Sequence, residues 1–336
     1  MRVVRYHAPR DVRVEDAPEP SAGPGELVIR VRNCSACGTD AKIWRSGHPN
    51  LSPPRVLGHE VAGGWSVGDR VQVIAAIPDG TCHECRNGRM TVCPNQELIG
   101  YQYDGGFAEL MRVPAKVLAV DGVNRIPDGL SFAEASVVEP LSCVLNGQEQ
   151  ARVGDGDTVV VVGAGPIGCL HVRLARVRGA ARVFLVEQRR RRLEMAAGLV
   201  RPDEAIEAGG TDTVAAVREL TGGRGADVII VAAASGQAQE DGLRMAARRG
   251  RVSFFGGLPK DRPAITVDAN IVHYREVGIV GANGSSPAHN RQALELIAAG
   301  AVPVADLITH RLPLERAVEG IHTVTRGEAI KVTIEA

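Results

Sequence analysis

Three cysteines crowd into one short stretch, Pro78-Asp79-Gly-Thr-Cys82-His-Glu-Cys85-Arg-Asn-Gly-Arg-Met-Thr-Val-Cys93. Thiolates at these spacings can wrap a single tetrahedral zinc ion on a tight loop. A fourth ligand is then required. Asp79 precedes Cys82 by the same step that separates Cys82 from Cys85, and an aspartate oxygen is an accepted zinc donor. His83, Glu84 and a lobe without metal are the competing readings. A second group is scattered along the chain: Cys37, His59 and Glu139. Singly these would be a core thiol, a satisfied buried histidine and a helix-surface carboxylate. Together they offer one sulfur, one nitrogen and one carboxylate oxygen, the protein ligands of a catalytic zinc with an open fourth position. The third signal is Gly163-Ala-Gly165-Pro166-Ile167-Gly168, whose glycines let backbone approach a pyrophosphate at a helix N-terminus. Glu187, ending the next apolar segment, would accept ribose hydroxyls and repel a 2′-phosphate, which favours NAD. The run Arg189 to Arg192, Arg192 included, is the kind of group that admits NADP, the less favoured cofactor.

Elements of two kinds must hold these groups. Up to about residue 140, short alternating segments such as Glu26 to Arg32 and Arg70 to Ile74, rich in Gly and Pro between them, predict a barrel-like β domain. From Thr158 the texture changes. Thr158 to Val162 reads as a buried strand, Pro166 to Arg178 as a helix and Ala181 to Val186 as a second strand, a βαβ unit. Further apolar strands are expected at Ala226 to Val231, Gly250 to Phe255 and Val277 to Val280, so the region predicts a doubly wound parallel sheet. Gly236, the Gly256-Gly257 turn and Gly281-Ala-Asn283 follow the later strands, where such a sheet binds its ligand. The tail, with a helix Asn290 to Ala299 and a strand Ala329 to Ile334, returns to the first style. The expected division is 1–145, with the zinc lobe at 79–93, then 146–283, then 284–336 back to the first domain.

Composition excludes several classes. The 336 residues carry 39 basic and 39 acidic side chains, 44% are apolar, and the basic residues are spread out rather than massed. That argues against a nucleic-acid partner. No stretch reaches the ~18 uninterrupted apolar residues of a membrane helix, and Met1 to Tyr6 lacks the pattern of a secretory leader, so a cytoplasmic protein without a membrane partner is expected. Seven cysteines, three of them in the lobe, favour metal over disulfides.

Cys37-Gly-Thr39-Asp40, Leu57-Gly-His59-Glu60, Val67-Gly-Asp-Arg70, the Cys82 to Cys93 lobe, Gly105-Gly-Phe107-Ala-Glu109, Glu139-Pro-Leu-Ser142 and the glycine loop follow one another in an order that resembles the zinc-dependent medium-chain dehydrogenases. The resemblance covers nearly the whole chain. It implies an α/β protein in which a GroES-like β-barrel catalytic domain is interrupted by a Rossmann domain, with zinc and substrate in the cleft between them. It implies Cys37 and His59 as catalytic zinc ligands, joined by Glu60 or Glu139 as the site opens and closes, and two zinc ions per chain. Glu139-Pro, where alcohol-specific branches usually carry Cys, is similar to the sorbitol and polyol branch. The expected reaction is therefore oxidation of a polar secondary alcohol, on a polyol, sugar, cyclitol or aminocyclitol, with L-threonine as the alternative. A non-catalytic nucleotide-binding relative and a zinc-free quinone or enone reductase are the other readings; the Cys37, His59 and Glu139 set argues against the reductase.

Three departures from the family pattern stand out: Asp79 in place of a cysteine, a hairpin clipped to Val61 to Ser66, and Lys42 where many members carry the histidine that ends a proton relay. Thr39 would pass the proton, and Lys42 would be its solvent end or, equally, a contact for the cofactor's phosphate or ribose. Trp44, Tyr101, Tyr103 and Phe107 are candidate pocket walls in a chain with 3% aromatic residues. The apolar segment Glu276 to Gly281 is expected at a sheet edge, and with the resemblance it implies a homodimer or homotetramer.

Overall fold

Alternation of apolar and polar residues in Leu27–Ala36 buries one face of a long strand, and this strand organises the first of two structural units. In the computed structural model, which describes residues 1–66 and 68–336, that unit comprises Met1–Ser142 and Gly284–Ala336. Val67, the first residue of the expected Val67 to Arg70 turn, lies outside the described residues. The main sheet runs in the order Val123–Arg125, Val71–Val73, Glu60–Gly64, Leu27–Ala36, Lys331–Glu335, Ile308–Pro313, with Leu110–Val113 also paired to Leu27–Ala36. A smaller sheet of Asp11–Asp16, Arg2–Ala8 and Arg55–Val56 shares its hydrophobic core, which includes Val4, Ile29, Val61, Phe107 and Val332. The shortened hairpin still pairs, Val61 opposite Val73 and Gly63 opposite Val71.

Register decides what flanks the end of the central strand. Ser35 lies opposite Glu60 on one side and opposite Thr333 on the other, while Ala36 lies opposite Val332. Strands from the beginning and the end of the chain therefore meet across the residues that lead into Cys37. The returning segment is tied in by a buried amide chain. Asn124 Nδ2 donates to Gln72 Oε1 at 2.8 Å, Gln72 Nε2 donates to Asn290 Oδ1 at 3.2 Å, and Asn290 Nδ2 reaches Ser285 Oγ at 3.1 Å.

The second unit, Cys143–Asn283, is a six-stranded parallel sheet in the order Glu204–Glu207, Arg182–Glu187, Thr158–Val162, Ala226–Val231, Ala246–Phe254, Gly278–Gly281. The order reverses at Thr158–Val162, so the loop that follows it opens at the switch point where such sheets bind nucleotides. Gly278–Gly281 is the edge strand, as the sequence led us to expect, with Ile279 41% exposed. Two features were not anticipated. Glu204–Glu207 carries a single buried apolar side chain, Ile206, and pairs as the opposite edge through Val186 and Ile206. The fifth strand begins at Ala246 rather than Gly250, past a register shift next to Ala226.

Gln72 Nε2 also donates to Val73 O at 2.8 Å, so Asn290→Ala would leave one of its two N–H groups without an acceptor inside the barrel. A loss of about 1–3 kcal/mol in the stability of the first unit is expected, read from its transition in urea. An unchanged midpoint would show that the amide chain contributes nothing.

Candidate functional site

Cys37 ends the turn after the central strand and caps the helix Gly38–Ser46. Its backbone N–H donates to Asp40 Oδ2 at 2.8 Å, which fixes the carboxylate three residues on and turns its other oxygen inward. Asp40 Oδ1 accepts no hydrogen bond and stands 3.8 Å from Nδ1 of His59, a buried residue just before the strand Glu60–Gly64. Ligand atoms of Cys37, His59 and Glu60 all lie within 4.8 Å of one another. Bonds of ~2.0–2.3 Å to one zinc ion close that span with a small adjustment of side-chain torsions.

Glu60 has no exposed surface. Its Oε2 forms an ion pair with the Lys331 ammonium, and beyond that contact neither carboxylate oxygen has a hydrogen-bond partner. Burial pushes the Glu60 carboxyl up, Lys331 opposes this, and the charge of Glu139 adds to it. Burial disfavours a charged His59, yet the negative groups around it, Asp40, Cys37 and Glu139, outweigh that and raise its pKa. A pocket with this excess of negative charge and an orphaned carboxylate fits a divalent cation. Of the two glutamates left open by the resemblance, the structure groups Glu60 with Cys37 and His59; Glu139, at the start of the helix Val138–Gln150, acts on both electrostatically. The approach to that helix is anchored to the central strand. Ser136 Oγ donates to Ala133 O at 2.7 Å, so the 2.6 Å contact between Ser35 and Ser136 has Ser35 as donor.

Among the aromatic candidates, Tyr101 lies beside this group. It is 7% exposed, its ring is 6.5 Å from that of His59 and 4.8 Å edge-on from that of His48, and Thr39 is its hydrogen-bonding neighbour. Burial, reinforced by Asp40, Cys37 and Glu139, raises the Tyr101 pKa. Phe107 requires a correction. It is fully buried in the barrel core, where its ring packs against Gly58. Trp44 packs on the margin of the same core, edge-on to His322 at 4.7 Å, and Tyr103 donates to Glu97 at 2.8 Å. Lys42 is exposed on the helix that carries Thr39 and Asp40.

The lobe brings Asp79, Cys82, Cys85 and Cys93 together, with all four ligand atoms within 4.8 Å. Cys82 Sγ accepts from Cys85 N and Cys93 Sγ accepts from Asp79 N, each at 3.4 Å. Asp79 is positioned in detail: Oδ1 accepts from Thr81 N at 2.8 Å and Cys82 N at 2.9 Å, and Oδ2 from Asn95 Nδ2 at 2.5 Å. These bonds, Asn95 first, hold its carboxyl well below the usual carboxylate range. The competitors point elsewhere: His83 is exposed and Glu84 pairs with Arg89 at 2.6 Å. Burial and the neighbouring thiols push the Cys85 thiol up, the reverse of what a bound cation would do.

In the second unit, Gly163 has φ +111°, and a Cβ on Gly168 would stand 1.8 Å from Gly163 O, so the tight turn into the helix Pro166–Val177 needs both glycines. Beside the loop lies a cavity of about 370 Å³ bordered by Gly163, Glu187, Asp212, Ala233, Ser235 and Asp241. Glu187 accepts from Ala164 N and from Arg189 N, both at 3.0 Å. The arginine run divides. Arg190 pairs with Glu194 at 2.9 Å on the exposed face, while half-buried Arg192 turns its guanidinium onto Gly165. Gly236 begins the helix Gly236–Met245, Gly256 O accepts from Gln239 Nε2 at 3.0 Å, Gly281 closes the edge strand, and Asn283 O accepts from Asn146 Nδ2 at 3.2 Å.

Residues 23–122 match the family described as the alcohol dehydrogenase GroES-like domain, and residues 166–299 match the zinc-binding dehydrogenase family. The erythritol/L-threitol dehydrogenase of Mycolicibacterium smegmatis is 31% identical over 99% of this chain and 97% of its own. The chain belongs to the zinc-dependent medium-chain dehydrogenases. It is thus an NAD(P)-dependent oxidoreductase of the zinc alcohol dehydrogenase type, with GroES-like and Rossmann domains. The L-threonine 3-dehydrogenase of Pyrococcus horikoshii is 32% identical over 94% of this chain and 92% of its own. Among solved structures, a zinc-binding dehydrogenase from Sinorhizobium meliloti 1021, bound to NADP, superposes with a TM-score of 0.92 at 29% identity, covering 100% of this chain and 99% of its own. Among the described residues no helix is long and apolar enough to cross a membrane.

Three contributors were not singled out from the sequence. Asp40 could have been found from its place three residues after Cys37. Lys331 carried a signal, a lysine inside the apolar run Ala329 to Ile334. Asn95 carried none, since its role depends on how the lobe loop turns.

Asp79→Ala should remove one metal equivalent of about two, and lower Tm by ~5 °C or more, while Cys37 and His59 keep theirs. Metal analysis that still finds two equivalents would take Asp79 out of the ligand set.

Proposed function

We propose that this dehydrogenase oxidises a secondary alcohol of a polyol, sugar, cyclitol or aminocyclitol to the ketone, with NAD as the preferred acceptor. The observation that carries the reading is the convergence of Cys37, His59 and Glu60 around an orphaned carboxylate and beneath Tyr101 and Thr39. Likeness to the erythritol/L-threitol dehydrogenase and to the sorbitol dehydrogenase of Halalkalibacterium halodurans, 29% identical over 99% of this chain, supports a polyol. The likeness to L-threonine 3-dehydrogenases supports a second reading, a 3-hydroxy amino acid.

Zinc held by Cys37, His59 and a carboxylate would supply Lewis acidity to a substrate hydroxyl, and the nicotinamide would accept the hydride. The protein's own residues do the rest. Asp40, 3.8 Å from Nδ1 of His59, acts on the ring as a nearby negative charge. Thr39 takes the hydroxyl proton onward, with exposed Lys42 on the same helix as its solvent end. Tyr101 walls the site with its phenol kept protonated by burial. Asp79, Cys82, Cys85 and Cys93 would hold the second, structural zinc. Glu187, on the cavity, would receive the ribose hydroxyls, and Arg192, whose guanidinium lies against Gly165, would meet the pyrophosphate rather than a 2′-phosphate. The free thiols suit a reducing, cytoplasmic setting, and a second copy is proposed to pair along the edge strand Gly278–Gly281.

A panel of polyols, sugars, cyclitols and L-threonine, followed by NADH absorbance, tests the substrate class. Turnover of a vicinal polyol is expected, and turnover of L-threonine alone would move the enzyme to the second reading. With the best substrate, kcat/KM for NAD should exceed that for NADP by about tenfold or more, because a 2′-phosphate would face the Glu187 carboxylate. The opposite ranking would show that Arg192 governs the site.

A further inference from the structure

Lys331 is one of four lysines in the chain and is 2% exposed. It lies on the strand Lys331–Glu335, on the far side of the central strand from Glu60, and its ammonium reaches across the end of that strand. It donates to Ala36 O at 3.2 Å and forms the ion pair with Glu60 Oε2. A purely structural ion pair in a core has its remaining lone pairs satisfied by other donors. This one does not. Among the described residues no other donor reaches the Glu60 carboxylate, which lies with Cys37 and His59 in one group of potential ligands.

We propose that Lys331 is a positioning residue that competes with the metal for Glu60 and so keeps that carboxylate a displaceable ligand. The inference rests on the reading that Cys37, His59 and Glu60 hold zinc. With zinc bound, the Glu60 carboxylate would be shared between the ion and the Lys331 ammonium, and its pull toward the ammonium would weaken its hold on the ion and free a position for a substrate hydroxyl. Without the ammonium, the carboxylate has one attractor and closes onto the metal.

The test follows transfer of zinc from the full-length holoenzyme to the coloured chelator 4-(2-pyridylazo)resorcinol. Lys331→Met should slow release from the Cys37 site by about tenfold and raise KM for the alcohol, and Lys331→Arg should restore both. A merely structural lysine predicts the reverse, faster release from a loosened site, and that result or an unchanged rate overturns the proposal. Glu60→Gln and the Glu60→Gln/Lys331→Met pair, which bury no net charge in the double variant, guard against a single variant that fails to fold. With glutamine at 60, changing Lys331 should alter release no further; an effect of Lys331→Met that persists shows action by another route and overturns the proposal. Zinc content of Cys37→Ser separates the two levels. If that variant keeps both equivalents, the zinc reading itself falls and the inference with it; if it loses one while the Lys331 variants match wild type, only the inference falls.

Discussion

A carboxylate with no exposed surface has to be answered by positive charge, and in this protein Glu60 is the carboxylate on which the first unit turns. It sits at the end of one neighbour of the central strand, and Lys331 sits at the start of the other. Cys37 follows the central strand directly, and Asp40 is tied to the Cys37 backbone. Register, charge and ligand placement are therefore one problem. A one-residue slip of either flanking strand would turn Glu60 or Lys331 to the opposite face and leave its partner buried alone, typically a loss of about 3–5 kcal/mol.

The two groups of potential metal ligands are built on different principles. In the lobe, ligands are close in sequence, and their backbone N–H groups and Asn95 aim the sulfurs and the carboxylate before any ion is present. In the Cys37 group, Cys37 follows the central strand while His59 and Glu60 lead into its neighbour, and the sheet supplies the geometry. In the lobe the Asp79 carboxylate is held by three hydrogen bonds, whereas among the described residues Glu60 has the Lys331 ammonium as its one side-chain partner and Asp40 Oδ1 accepts no hydrogen bond.

What could be read from the sequence follows from the same contrast. The thiol spacings of Cys82, Cys85 and Cys93, the turn through Gly163 and Gly168, and the apolar run Thr158 to Val162 are local, so residue order alone exposes them. The choice between Glu60 and Glu139 was not local, because it depends on which strand lies beside Leu27–Ala36. Lys331 escaped notice for that reason too: its partner is far away in the chain. The edge strand Glu204–Glu207 has one buried apolar side chain and hence no alternation to detect. Phe107, a candidate wall that could equally be core, is a core side chain, since scarcity of aromatics says nothing about which of them the core takes up.

The pairing of residue 60 with residue 331 spans the whole of the unit Cys143–Asn283. Until the strand Lys331–Glu335 docks, water must solvate Glu60, and the central strand cannot close over it without stranding a charge. Closure of the barrel is thus contingent on a segment made after the nucleotide-binding sheet. The ion pair acts as a seal on assembly order: the inserted unit has its full sequence before the metal pocket can be completed, and a chain interrupted within that unit leaves the pocket hydrated and open.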